Sequence, residues 1–125
     1  MIHRDTNVLI RAVSGTPHVT ALLNGWLVAG ETVRADAIAW AEFHCGPLTA
    51  QDAQTARVLV PDVVTVERVD SERAAVLFNQ SGRRRGSLAD CLIAAVCLRT
   101  GASIATANVA DFQPFQSDGL TVINV

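Results

Sequence analysis

The stretch from Ser87 to Phe112, SLADCLIAAVCLRTGASIATANVADF, decides the fold. Leu88 through Leu98 is apolar almost all round, which marks a buried helix rather than an amphipathic surface one. Ser87 followed by Asp90 has the form of a capping box, and Gly101 supplies a stop at the far end. Ala102 to Thr106 then reads as a short interior strand. The polar tip Thr106, Asn108, Asp111 follows at its carboxyl end, where open α/β sheets keep their ligands. Asp90 and Asp111 each have an ordinary explanation, Asp90 as a first-turn carboxylate on helix amides and Asp111 as a turn residue before Phe112. The rest of the chain decides whether those explanations suffice.

Toward the N-terminus, Met1 to Arg4 reads as a strand, Asp5-Thr6-Asn7 as an acidic turn, and Val8, Leu9, Ile10, Ala12 and Val13 have helical spacing. Asp5 therefore belongs at the carboxyl end of the first strand. Thr16-Pro17 opens a second helix, in which Val19, Leu22, Leu23, Trp26 and Leu27 share one stripe and are expected in the core. Thr32 to Ala35 reads as a second strand, and the helix begun after Asp36 presents Glu42 amid apolar neighbours. Taken alone, Glu42 suits a solvated helix face. Thr49 to Asp52 repeats the capping pattern for a helix that Pro61 ends by about Leu59. Val63 to Val66 is a third strand, Asp70 an expected N-cap for a helix ending near Ser81-Gly82, and Leu120 to Asn124 a last strand.

Strands alternating with helices over 125 residues, half of them hydrophobic, predict an α/β fold. A single domain spanning 1–125 is expected, with a mostly parallel central sheet of about five strands and helices on both faces. No apolar run approaches the roughly 18 residues of a membrane span, and Met-Ile-His-Arg-Asp does not open like a signal peptide, so a cytoplasmic protein without membrane association is expected. Cys45, Cys91 and Cys97 lack ligand spacing and read as reduced thiols; His3, His18 and His44 have no partners at metal spacing. The formal charge of −2 leaves nucleic-acid binding to local patches. The chain has no lysine, and its one dense basic cluster is Arg83, Arg84 and Arg85 between Gly82 and Gly86, which suits phosphate or a solvated loop.

In such a sheet Asp5 and Asp111 meet at one rim, and helices starting beside it bring Glu42 and Asp90 there from their first turns. Clustered carboxylates raise one another's proton affinity, and a fold tolerates them chiefly when a cation neutralises them. An oxygen-only ligand set points to magnesium or manganese.

Four blocks in order carry a resemblance: Asp5-Thr6-Asn7-Val8-Leu9-Ile10, Ala41 to Gly46, Ser87 to Ala95, and Thr106 to Phe112. With them the chain resembles a PIN domain, in the VapC-type toxins of bacterial toxin-antitoxin pairs, over nearly its whole length. The resemblance implies a PIN-like three-layer domain and magnesium-dependent endoribonuclease activity, with Asp5, Glu42 and Asp90 at three acidic metal-site positions. It leaves open whether Asn108 or Asp111 completes the site, and whether Asp36, where relatives often show a small hydroxyl residue, joins the cluster. A VapB-like antitoxin and a homodimer are implied by the resemblance alone.

The expected mechanism is hydrolysis of an RNA phosphodiester by metal-activated water, leaving 5′-phosphate and 3′-hydroxyl ends. Thr6 and Asn7 would orient Asp5 or touch a phosphate, Thr106 would support the rim, and Arg83 to Arg85 would steer the RNA backbone. Two other classes compete. Phosphoryl-transfer enzymes on similar sheets typically use a lysine, which this chain lacks. A catalytically inactive PIN-like module that binds RNA or a partner would keep the fold without the chemistry.

Overall fold

The structure, a computed structural model, describes residues 1–125. In chain order the elements are β1 (Ile2–Arg4), α1 (Thr6–Val13), α2 (Pro17–Val28), β2 (Val33–Asp36), α3 (Ala37–Cys45), α4 (Ala50–Leu59), β3 (Val63–Val64), α5 (Arg68–Gln80), α6 (Leu88–Thr100), β4 (Ser103–Thr106), α7 (Val109–Phe112) and β5 (Val122–Asn124). A 3₁₀ segment, Gln113–Asp118, joins α7 to β5. The strands form one sheet in the order β3-β2-β1-β4-β5, and every pairing is parallel. Each parallel step needs a crossover, and the helices between strands provide it. The result is the three-layer α/β arrangement expected from the sequence, with all of the sheet parallel.

Two apolar clusters fill the layers. The larger joins Leu9, Ala35, Phe43, Leu77, Ile104 and Phe112 to the inner residues of α6. Cys91 and Ile93 through Cys97 are all buried, so α6 is the central helix that its all-round apolarity predicts. Gly101 ends it in the left-handed conformation at φ 67°. The smaller cluster is Val8, Ala12, Val19 and Leu23, with Trp26, Val33 and Val125 against it. No helix is long and apolar enough to cross a membrane.

Several local expectations need correction. Leu27 is 60% exposed, because α2 faces the core through Val19, Leu23 and Trp26 and leaves Leu27 at the edge of that stripe. Ser87 forms no capping box with Asp90; its hydroxyl donates instead to the Arg84 carbonyl at 2.7 Å, in an αR rather than extended cap conformation. Asp90 is thereby left without helix amides to satisfy. Asp70 is not the N-cap of α5. Glu67 is, and the Asp70 carboxylate reaches back from the third helical position to accept the Glu67 N–H at 2.8 Å. The third strand is also shorter than expected, since the Thr65 carbonyl turns to accept from Arg99 Nη2 at 2.9 Å. The last strand begins at Val122 because the Leu120 N–H closes onto the Phe115 carbonyl.

Asp70 and Arg99 clamp the start of α5 to the end of α6. Arg99 Nε donates to both Asp70 oxygens, at 2.8 and 3.0 Å, and Nη1 pairs with Glu67 at 3.3 Å. The Asp70 side chain is 1% exposed, so its carboxylate is a buried charge that depends on Arg99 and the Glu67 N–H for its partners. Asp70→Asn is expected to lower unfolding free energy by about 2–4 kcal/mol with an unchanged m-value. Urea unfolding monitored by circular dichroism measures this.

Candidate active site

The strand order reverses direction between β1 and β4: the chain steps outward from β1 to β2 and β3, then returns to lay β4 on the other side of β1. Parallel sheets leave a crevice at such a point, beyond the carboxyl ends of the strands. Asp5 directly follows β1 and Thr106 ends β4. The register pairs Arg4 with Ala105, and the Asp5 N–H donates to the Ala105 carbonyl at 2.9 Å. Thr106 Oγ1 then donates to Asp5 Oδ2 at 2.7 Å.

Asp5 also caps α1. Its Oδ1 accepts the Thr6 N–H at 2.8 Å, and its Oδ2 accepts from Asn7 Nδ2 at 2.8 Å. Asn7 spans to the opposite strand, its Oδ1 accepting the Ala107 N–H at 3.0 Å. The Asn108 N–H in turn donates to Thr106 Oγ1 at 3.0 Å. Thr6 does not touch Asp5 through its hydroxyl; Oγ1 donates to Glu42 Oε1 at 3.2 Å. Thr6, Asn7 and Thr106 thus fix the orientation of two acids from two segments of chain.

Asp5, Glu42, Asp90, Asn108 and Asp111 all line one open, polar pocket of about 370 Å³, together with Thr6 and Asn7. Asp90 comes from the first turn of α6, as expected, whereas Glu42 comes from the second turn of α3. Ile10, Gly86 and Ala89 complete the wall and were not foreseen; Ala89 is simply the neighbour of Asp90 in the block that singled it out. Asp36 does not line the pocket. It is fully buried as the N-cap of α3, its Oδ1 accepting the Ile38 and Ala39 amides at 2.9 Å each. Asp36 Oδ2 has no hydrogen bond and lies 3.9 Å from Nδ1 of the equally buried His3. Burial pushes the Asp36 carboxyl up to about 6, with Asp5 adding repulsion, and lowers His3 to about 4, so the imidazole is neutral at pH 7.

Asp90 is the acid most in need of positive charge. Burial, then repulsion from Asp111, Asp5 and Glu42, pushes its carboxyl up to about 7, against the pull of Arg84. Glu42 is raised as well, by burial first and by Asp5, against the Thr6 hydrogen bond. Of the three arginines before α6, one reaches the acids: Arg84 Nη2 lies 3.3 Å from Asp111 Oδ1 and 3.8 Å from Asp90 Oδ2. Arg83 is instead bonded to Asn79 and stacked over Phe78, and Arg85 makes neither a hydrogen bond nor an ion pair.

The donor set is oxygen only, which suits a hard divalent cation. No three carboxylates stand close enough to one another to enclose an ion as they are placed. A hard cation that keeps several of its waters would take only one or two of these carboxylates directly. The raised proton affinity of Asp90, due first to burial and then to repulsion from Asp111, Asp5 and Glu42, is the further sign of fit, since a cation beside it would favour the ionised carboxylate.

The family model described as PIN domain matches residues 4–113, a span that includes every residue of the pocket. The chain belongs to the PIN-domain family. Solved structures similar to this PIN domain include VapBC2 from Rickettsia felis bound to a DNA fragment from its promoter, 18% identical, covering 100% of this chain and 99% of that one at a TM-score of 0.80. FitAcB from Neisseria gonorrhoeae is 21% identical, with 99% and 97% coverage and a TM-score of 0.77. A toxin-antitoxin complex from Klebsiella pneumoniae is 24% identical, with 90% of each chain covered and a TM-score of 0.73. At these identities the likeness is one of fold. No curated protein matches the chain.

The raised Asp90 carboxyl makes a stability prediction. Its folded pKa, about 7, lies above the ordinary 3.8, so the folded state holds the proton more tightly and stability falls as pH rises from about 4 through 7. Asp90→Asn removes that loss. The metal-free variant is expected to match the parent near pH 4 and to exceed it by about 2–4 kcal/mol above pH 7. Chemical denaturation with chelator at both pH values measures the difference.

Proposed function

We propose that this PIN-domain chain is the toxin of a type II toxin-antitoxin pair and cuts RNA by metal-dependent hydrolysis. The observation that carries the reading is the pocket itself: oxygen donors from four separate parts of the chain meet at the switch point of a parallel sheet. The fold likeness to VapBC2 and FitAcB supports it. Asp5, Glu42 and Asp90 would hold a magnesium or manganese ion, directly or through water, with Asn108 or Asp111 completing the set. The ion, when bound, would lower the pKa of water and offset charge on the phosphate.

The protein's own groups do the positioning. Thr106 and Asn7 hold Asp5 in one rotamer, and Thr6 aims Glu42 into the same space. Asp90, with its high proton affinity, is the group best suited to give up a proton as a cation arrives. Asp111 holds Arg84 beside the pocket, where its guanidinium would be within reach of an entering phosphate. A VapB-like antitoxin that covers the pocket, a homodimer and a cytoplasmic site of action belong to the same proposal. The competing reading, a PIN-like module that binds without cutting, draws on the spacing of the acids, no three of which converge.

Antitoxin-free protein incubated with a structured RNA pool separates the two. Magnesium-dependent cuts bearing 5′-phosphate ends are expected, with chelator abolishing them and Asp5→Asn lowering the rate by about 100-fold or more. Cyclic phosphate ends, or intact RNA retained with and without metal, would reject the proposal. Thr106→Val is expected to weaken manganese binding by about 10- to 100-fold while the protein stays folded, and Thr106→Ser to restore it. Calorimetric titration reads this without recourse to activity.

A further inference from the structure

We infer that Arg84 is a built-in counterion of the acid pocket that a divalent metal displaces onto an RNA phosphate, so that metal and RNA bind cooperatively through this one side chain. The inference rests on the nuclease reading and adds to it a residue with two mutually exclusive partners.

Arg84 is the only cation within ion-pair distance of any acid in the pocket, and it engages two of them, Asp90 and Asp111. A divalent ion entering beside those carboxylates would compete for the same oxygens and repel the guanidinium. The side chain is free to leave, being 60% exposed. Its backbone is not: the Arg84 carbonyl accepts both the Ser87 amide, at 3.1 Å, and the Ser87 hydroxyl, at 2.7 Å. Gly82 and Gly86, at φ 91° and 82°, bracket this turn in conformations that side chains rarely adopt. The displaced guanidinium therefore remains tethered just before α6, beside the pocket wall that Asp90 and Asp111 form.

A planar fork of donors in that place matches a phosphate better than it matches water. Arg83 is occupied by Asn79 and Phe78, and Arg85 has no contact with an acid, so neither is linked to the metal site in this way. Linkage then requires reciprocity: whatever factor metal contributes to RNA affinity through Arg84, RNA contributes to metal affinity.

The test compares the parent protein with Arg84→Gln and with Arg85→Gln, which removes the same charge from the same loop without breaking an ion pair. Manganese binding without RNA, followed by electron paramagnetic resonance, is expected to tighten about three- to tenfold in Arg84→Gln and to change less than about twofold in Arg85→Gln. In the second arm, RNA binding is measured with calcium and with chelator, the RNA being checked for integrity in the same samples. The gain in RNA affinity on adding calcium is expected to shrink in Arg84→Gln and to persist in Arg85→Gln. Equal manganese affinity in the parent and Arg84→Gln, equal gains in both variants, or an undiminished calcium effect in Arg84→Gln would overturn the inference while leaving the nuclease reading standing. Failure of manganese to bind any of the three proteins would overturn both.

Discussion

The pairing of β1 with β4 is the constraint on which the rest depends. It sets Arg4 against Ala105 and so places Asp5 and Thr106, 101 residues apart in sequence, within a 2.7 Å hydrogen bond. A slip of one residue would turn Thr106 to the other face of the sheet and leave the Asp5 carboxylate short of a donor. The pairing is also the point at which the strand order reverses, so a single register fixes both the crevice and the first acid in it. Helix α6, buried through its middle from Cys91 to Cys97, is the connection that delivers β4 to that position and carries Asp90 at its own first turn.

Acids sharing the pocket are supported in different ways. Asp5 accepts hydrogen bonds from Thr6, Asn7 and Thr106, all neutral donors fixed by the fold. Asp90 has no neutral donor and faces Arg84 at 3.8 Å. One carboxylate is thus held by structure and the other is left responsive to whatever positive charge is present. In the proposed metal site this pair would combine a rigid anchor with an adjustable acid.

Much of this was legible in the sequence. The apolarity of Leu88 to Leu98 foretold a buried helix, and the alternation of strand and helix foretold the parallel sheet with its acids at one rim. What escaped was local chemistry decided by three-dimensional neighbours. Ser87-x-x-Asp90 has the spacing of a capping box, but the Arg84 carbonyl takes the serine hydroxyl, and sequence spacing cannot show a competing acceptor. Asp70 read as an N-cap because a helix pattern begins after it; its actual partner, Arg99, lies 29 residues away on another helix. Asp36 gave no sign that it would be buried beneath His3 rather than join the pocket, since one acid at a strand end looks like another until the register is known. The four-residue α7 shows in the sequence only as part of a polar tip, and the 3₁₀ turn after it is not marked there at all, both being too short to show a period.

The two borders of the sheet have a consequence for how the molecule meets other chains. β3 contributes two residues and β5 three, and the backbone beyond β3 is already committed, with the Thr65 carbonyl held by Arg99. An extended segment from another polypeptide would find two or three rungs of ladder there, too few to template further strands. The borders are blunt, which guards an otherwise fully parallel sheet against end-to-end stacking. Association with other proteins is thereby directed to the helical faces and to the loops around the pocket, where side chains rather than main-chain hydrogen bonds choose the partner.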